Sequence, residues 1–134
     1  FLLTLSSPFI GYSFPYSPSL QVFAQSNDAK KAQADRLLEQ GIEQFQTSQI
    51  EAALKSFQQA LDISRQIKDR KMEAGLLGNI GIVYRNLGNY PKAIEYYSQS
   101  LKITQEIKDP TGESLVLSNL SFAYNSLGDY PKAI

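Results

Sequence analysis

The chain has 134 residues, 43% hydrophobic and 19% charged, which suffices for one ordinary domain or a short solenoid and fits neither a disordered polymer nor a membrane bundle. Thirteen Lys and Arg balance thirteen Asp and Glu, so no net field attracts nucleic acid or an anionic membrane surface. With no Cys and no His, thiolate nucleophiles, Ser-His-Asp triads, histidine bases and zinc sites of the usual nitrogen and sulfur ligands are excluded within this sequence, and no catalytic, cofactor or metal residue is assigned.

Residues 1–24 contain no charged side chain and are rich in Leu, Phe, Tyr, Ser and Pro. They end in Val22-Phe23-Ala24-Gln25, with residues fit for a cleavage site three and one before a cut after Ala24. This stretch reads as a signal-peptide-like leader without its basic start, and it predicts a periplasmic or secreted protein. The bland alternative is a disordered apolar tail on a cytoplasmic one. Pro8, Pro15 and Pro18 interrupt the run, which argues against an integral membrane segment. The chain starts with Phe1 rather than Met and stops at Ile134 early in an expected helix, so it reads as a fragment.

Residues 25–33 form a polar, Ala- and Lys-rich lead-in, with Asn27 or Asp28 expected to cap the first helix. Ala34, Leu37, Leu38, Gly41, Ile42 and Phe45 then recur at helical spacing and predict one buried face. Gln46-Thr47-Ser48-Gln49 is the expected bend, and Ile50, Ala53, Leu54, Phe57, Ala60, Leu61 and Ile67 mark the second helix. Helices are predicted from about Arg70 to Leu87, from about Tyr90 to Lys108 and from about Pro110 to Leu127.

Between them lies a repeated string. Leu87-Gly88-Asn89-Tyr90-Pro91-Lys92-Ala93-Ile94 returns forty residues later as Leu127-Gly128-Asp129-Tyr130-Pro131-Lys132-Ala133-Ile134, with one change. Gly88 suits the left-handed residue that ends a helix, Asn89 can cap the next, and Pro91 falls in a first turn where no N–H is needed. Gln66-Ile67-Lys68-Asp69 and Glu106-Ile107-Lys108-Asp109 repeat at the same offset. A fixed period of this kind marks a repeat array: repeat 1 at about 34–69, repeat 2 at about 70–109 and a truncated repeat 3 at about 110–134.

These residues resemble the tetratricopeptide repeat, whose pattern is met by Leu77, Ile80-Gly81, Tyr84, Ala93, Tyr97 and Ser100. Repeat 1 matches through Leu37, Gln40-Gly41, Gln44, Ala53, Phe57 and Ala60, and repeat 3 through Leu117, Leu120-Ser121, Tyr124 and Ala133. Small residues at Gly41, Gly81, Ser121, Ala53, Ala93 and Ala133 are where helices can approach closely. The period of forty is longer than the common 34 and is similar to repeats of kinesin light chains and Pins-type adaptors. The resemblance implies an all-α, right-handed superhelical solenoid of two and a half repeats that binds a protein or peptide in a concave groove. The string and leader together also look like bacterial, notably cyanobacterial, repeat proteins often fused to a caspase-like CHAT domain. The alternative function is therefore the recognition or regulatory arm of an enzyme, and a third is self-association through exposed repeat ends.

By the same resemblance, Gly75, Gly78, Asn79, Ile82, Arg85 and Asn86 face the groove, with Leu115, Ser118, Asn119, Phe122, Asn125 and Ser126 from repeat 3. Asn79 and Asn119 stand forty residues apart, and in similar repeats this asparagine hydrogen-bonds the backbone of an extended peptide. A side-chain amide both donates and accepts, as a peptide unit requires, although the same amide can serve structure between neighbouring helices. Arg85 is the one formal charge in this set, so the groove is expected to read backbone more than charge.

Other signals have plainer readings. Tyr84, Tyr90, Tyr96, Tyr97, Tyr124 and Tyr130 fall at helical spacing and are mostly interhelical core, with Tyr96 the member expected to be exposed. Asp35, Glu39 and Glu43 form a solvated helix face rather than an acid-base pair. Gly75, Gly78 and Gly81 lack the strand and the Lys-Ser or Lys-Thr of a phosphate loop. Asn119-Leu120-Ser121 fits a glycosylation acceptor but lies within a predicted helix.

Overall fold

The computed structural model describes residues 18–128, which form five helices: α1 (Pro18–Gln46), α2 (Ile50–Gln66), α3 (Arg70–Asn86), α4 (Tyr90–Glu106) and α5 (Pro110–Ser126). The leader before Pro18, and Asp129, Tyr130 and Ala133 in the third bend, lie outside the described residues. Each helix packs on its neighbours in the chain, and α3 also touches α5, so the elements form an all-α array of helical hairpins. Among the described residues no helix is long and apolar enough to cross a membrane.

The bends obey a stricter rule than the forty-residue period. A positive φ occurs at Ser48 (63°), Lys68 (58°), Gly88 (75°), Lys108 (54°) and Gly128 (77°), once every twenty residues. At Gly88 the geometry is a Schellman cap: the Asn89 N–H donates to the Tyr84 carbonyl at 2.9 Å and the Gly88 N–H to that of Arg85 at 3.0 Å. The same bond pair closes α1, α2 and α4. The next helix then starts from a side-chain cap: Asp69 accepts from the Met72 N–H at 3.0 Å, Asn89 from Lys92 at 3.2 Å and Asp109 from Gly112 at 3.1 Å. Pro91 and Pro110 occupy first turns, as the sequence pattern requires.

Several expectations need correction. Helix α1 begins at Pro18, so Asn27 and Asp28 lie inside it and cap nothing; no residue between Pro18 and Gln46 forbids helix, and a capping residue without a preceding breaker does not start one. Helices α3, α4 and α5 end at Asn86, Glu106 and Ser126, one or two residues before Leu87, Lys108 and Leu127, because the left-handed residue of each bend, Gly88, Lys108 or Gly128, follows within two residues. Ile42 is 40% exposed rather than core. Forty residues on, its counterpart is Ile82, so it belongs to the groove register.

Lys68 and Lys108 occupy the left-handed region at a cost of about 1–2 kcal/mol each, and both side chains are exposed and outside any ion pair among the described residues. Lys68→Gly and Lys108→Gly should therefore each stabilise the array by about 1 kcal/mol in urea unfolding. A lower unfolding midpoint for both variants would contradict this account of the bends.

Two apolar clusters follow from the repeat. Phe57, Leu61, Leu76, Leu77, Ile80 and Val83 centre the first, and Tyr97, Val116, Leu120 and Ala123 the second. The first two hairpins are each built on an aromatic ring lying on a glycine. A Cβ at Gly41 would stand 2.6 Å from Phe57 Cδ1, and one at Gly81 would stand 2.6 Å from Tyr97 Cε1. Ala53 and Ala93 are fully buried beside them. Tyr96 is half-buried rather than exposed, stacked on Tyr84 with ring centroids 5.5 Å apart. In the first hairpin the matching pair is polar, Ser56 Oγ donating to Gln44 Oε1 at 2.7 Å.

Polar contacts tie successive hairpins together. Glu73, nearly buried, accepts from Arg65 Nε at 2.9 Å and from Arg70 Nη1 at 2.6 Å. Forty residues on, Gln105 Nε2 donates to Glu113 at 3.0 Å in the place of the Arg65 contact. Within the second hairpin, Ser100 Oγ of α4 donates to the buried Ala74 carbonyl of α3 at 2.8 Å.

Candidate functional site

Helices α1, α3 and α5 are the first members of the three hairpins, and clefts open between them on one side of the array. The first cleft, about 340 Å³, lies between α1 and α3 and is lined by Lys31, Leu38, Lys71, Met72, Gly75 and Asn79 among others. The second, about 250 Å³, lies between α3 and α5 and is lined by Lys71, Gly78, Asn79, Ile82, Leu115 and Asn119 among others. Both exist because α3 shows glycine there. A Cβ at Gly75 would meet nothing within 4 Å, and one at Gly78 only Ser100 Oγ at 3.9 Å. Asn79 and Gly75 are common to the two clefts, which makes α3 the wall between them.

Of the residues proposed from sequence, Asn79, Ile82 and Asn119 come together in the second cleft. Asn79 has no hydrogen-bond partner among the described residues, so its amide donors and acceptor are available to a ligand. Asn119 differs: Arg85 Nη1 donates to its Oδ1 at 3.0 Å, which ties α3 to α5 and leaves the amide N–H groups to donate. The Arg85 guanidinium also lies over the Phe122 ring, 5.1 Å from its centroid. Phe122 is 51% exposed. Asn86 and Asn125 are exposed and line neither cleft.

The sequence reading missed the charged rim. Lys31, Asp69 and Lys71 line the first cleft, and Lys71 and Asp109 the second, so Arg85 is not the single charge of this face. Lys71 stands four residues before Gly75 and was accessible to the same helical register. Lys31 and Asp69 were not, because they meet only when α1 packs beside α3, with Nζ 3.1 Å from Oδ2. Burial works to raise the Asp69 carboxyl, but the Met72 N–H and the Lys31 ammonium outweigh it and hold the group below the usual carboxylate range. Its contribution to stability is therefore present above the unfolded carboxyl range and is lost as pH falls through the depressed folded value. Among the described residues no group of three or more Asp and Glu is arranged to hold a metal ion.

A family model described as tetratricopeptide repeat matches residues 72–134. Among solved structures, the chain is similar to the TPR domain of Arabidopsis FLU, at 27% identity over 78% of this chain and 87% of that one, with a TM-score of 0.73. It is also similar in fold to BtubC (BKLC) from P. vanneervenii, at 20% identity and a TM-score of 0.72 over 86% of this chain. The chain spans about half of that protein's length, 48%. A comparison with curated protein sequences gave no match. Stacked helical repeats of this fold are in general protein-interaction scaffolds, their extended faces serving as binding surfaces. With its hairpins, its glycine-aromatic contacts and its forty-residue register in agreement, the chain matches the tetratricopeptide repeat over residues 72–134 and is similar in fold to a solved TPR domain.

Proposed function

We propose that the chain binds an extended peptide or protein segment in the clefts between α1, α3 and α5. The observation that carries this reading is Asn79, whose unpartnered amide stands on the wall shared by both clefts. An extended segment crossing α3 presents alternating backbone donors and acceptors, and a side-chain amide answers both. Asn119 adds donors from the opposite wall of the second cleft. Gly75 and Gly78 let the segment approach the helix surface.

Panning a displayed library of linear peptides against the chain tests this. Peptides should be enriched over an unrelated helical-repeat control, and the Asn79→Ala, Asn119→Ala double variant should bind them at least about tenfold more weakly, since losing hydrogen bonds at a buried interface costs about 1–3 kcal/mol and 1.4 kcal/mol is a factor of ten. Helix content should be unchanged by circular dichroism. Failure to enrich any linear peptide, or full binding by the double variant, would overturn the reading.

A further inference from the structure

The two ends of the array are unlike. On α3 and α5 the side turned back toward the preceding hairpin is apolar and buried, through Leu76, Ile80 and Val83 on α3 and Val116, Leu120 and Ala123 on α5. Forty residues before the first three, α1 carries Arg36, Gln40 and Glu43, all exposed. A helix with that outer side is a cap, on which no further array stacks. The forward side of α5 is the opposite case. Leu77 on α3 is 1% exposed, and Gly81 on the same side lies under the Tyr97 ring of α4. Their counterparts on α5 are Leu117, which is 44% exposed, and Ser121, with Ser114 and Tyr124 on the same side. Helix α5 also carries no charge after Glu113, so no part of this side is held in water by an ion. A helix of that kind is normally buried.

We propose that a second copy of the chain covers this side, α5 against α5 about a two-fold axis. An interface of that symmetry must be complementary to itself, and this one is. Leu117 and Tyr124 lie almost equally far before and after Ser121, so in an antiparallel pair each leucine stands opposite the tyrosine of the other copy and the two serines meet near the axis. Ser121 holds the register of Gly41 and Gly81, where a short side chain lets two helices approach closely. With no charge on this side, the two-fold axis brings no like charges together. The cap on α1 stops growth at the far ends, so the product is a closed pair rather than a filament. One side of a 17-residue helix, about 26 Å long, falls short of the roughly 800 Å² per partner of a standard interface, so the pair is weak and forms by concentration. Asn119 and Phe122 stand on another side of α5, and pairing leaves the clefts open. On the peptide-binding reading above, the pair is a divalent scaffold.

Sedimentation equilibrium of the 134-residue chain over about a hundredfold range of concentration tests this. The mass should rise from 15.0 kDa toward twice that value and no further. Ser121→Glu and Ser121→Lys should each stay monomeric alone, because like charges then meet at the axis, and a mixture of the two should pair again, a result that a folding defect cannot give. Arg36→Glu, at the capped end, should pair like the parent. The chain has no cysteine, so Ser121→Cys should form a disulfide between copies under mild oxidation and Arg36→Cys should not. A monomer at every concentration overturns the proposal: with the Ser121→Cys thiol shielded from alkylation the cover is the chain's own residues 129–134, and with it reactive the side is left for a different protein. Growth beyond two copies, or association lost in Arg36→Glu, would mean end-to-end stacking and overturn it as well. Peptide selection is measured separately, so a failure of the groove reading leaves the pairing result standing.

Discussion

Replacing Tyr97 by alanine is expected to destabilise the array by about 3–5 kcal/mol, the range for removing a fully buried aromatic side chain. The ring is 0% exposed, lies on Gly81 and packs with Ala93, Val116, Leu120 and Ala123, so it joins α3, α4 and α5 at one point. Tyr97→Phe should do the opposite. The Tyr97 hydroxyl is buried without a hydrogen-bond partner, a state that costs about 1–3 kcal/mol, and the matching position of the first hairpin is already Phe57. Burial raises the pKa of this phenol, against a smaller opposing pull from Arg85. Its share of stability is therefore intact below the ordinary phenol range and lost as pH rises through the raised folded value. Urea unfolding across neutral and alkaline pH checks both variants. Phenylalanine should match or exceed the parent and flatten the alkaline decline. A clearly destabilised Tyr97→Phe would mean that the hydroxyl is satisfied and the account of this core is wrong.

Gly81→Val is expected to be as damaging from the other side of the same contact. A Cβ at this position already stands 2.6 Å from Tyr97 Cε1 and 2.7 Å from Cδ1, and the ring cannot retreat through the buried side chains behind it. Overpacking of this kind costs about 1–3 kcal/mol and occasionally more, with the two γ carbons of valine at the upper end. Gly81→Ala should also destabilise, although alanine favours helix over glycine by about 1 kcal/mol. The comparison is Gly75→Ala on the same helix, where nothing lies within 4 Å and the propensity gain should appear undiminished. Thermal unfolding of the two alanine variants in parallel decides the matter. Equal shifts, in sign and size, would show that helix propensity and not the ring contact governs Gly81.

The residues that made the fold legible were those whose reasons are local. Gly88, Asn89 and Pro91 encode a helix end, a cap and a first turn within four residues, and the bend is where they place it. Gly81 and Tyr97, sixteen residues apart, were legible because the period aligned them with Gly41 and Phe57. What stayed hidden depended on neighbours in space. Arg85 and Asn119 are 34 residues apart, and no rule of spacing within one helix says that one amide in the repeated pair would be taken by a guanidinium while the other stays free. Lys68 and Lys108 carry no sequence signal for a left-handed bend, because the cap geometry around them imposes a conformation that lysine does not favour. The start of α1 was missed for the converse reason: Asn27 and Asp28 look like caps, and a cap acts only where the chain before it turns away from helix.

The twenty-residue spacing of the left-handed bends, set against the forty-residue register of glycine and aromatic, restricts how such a gene can change length. Loss or duplication of one helix with its bend would keep every turn in place and yet set two helices of the same kind face to face, glycine opposite glycine or ring opposite ring. Loss or duplication of two would leave each ring on its glycine and each cleft between its proper walls. The array can therefore lengthen or shorten only in whole hairpins, and each added hairpin extends the binding face by one cleft without disturbing those already formed.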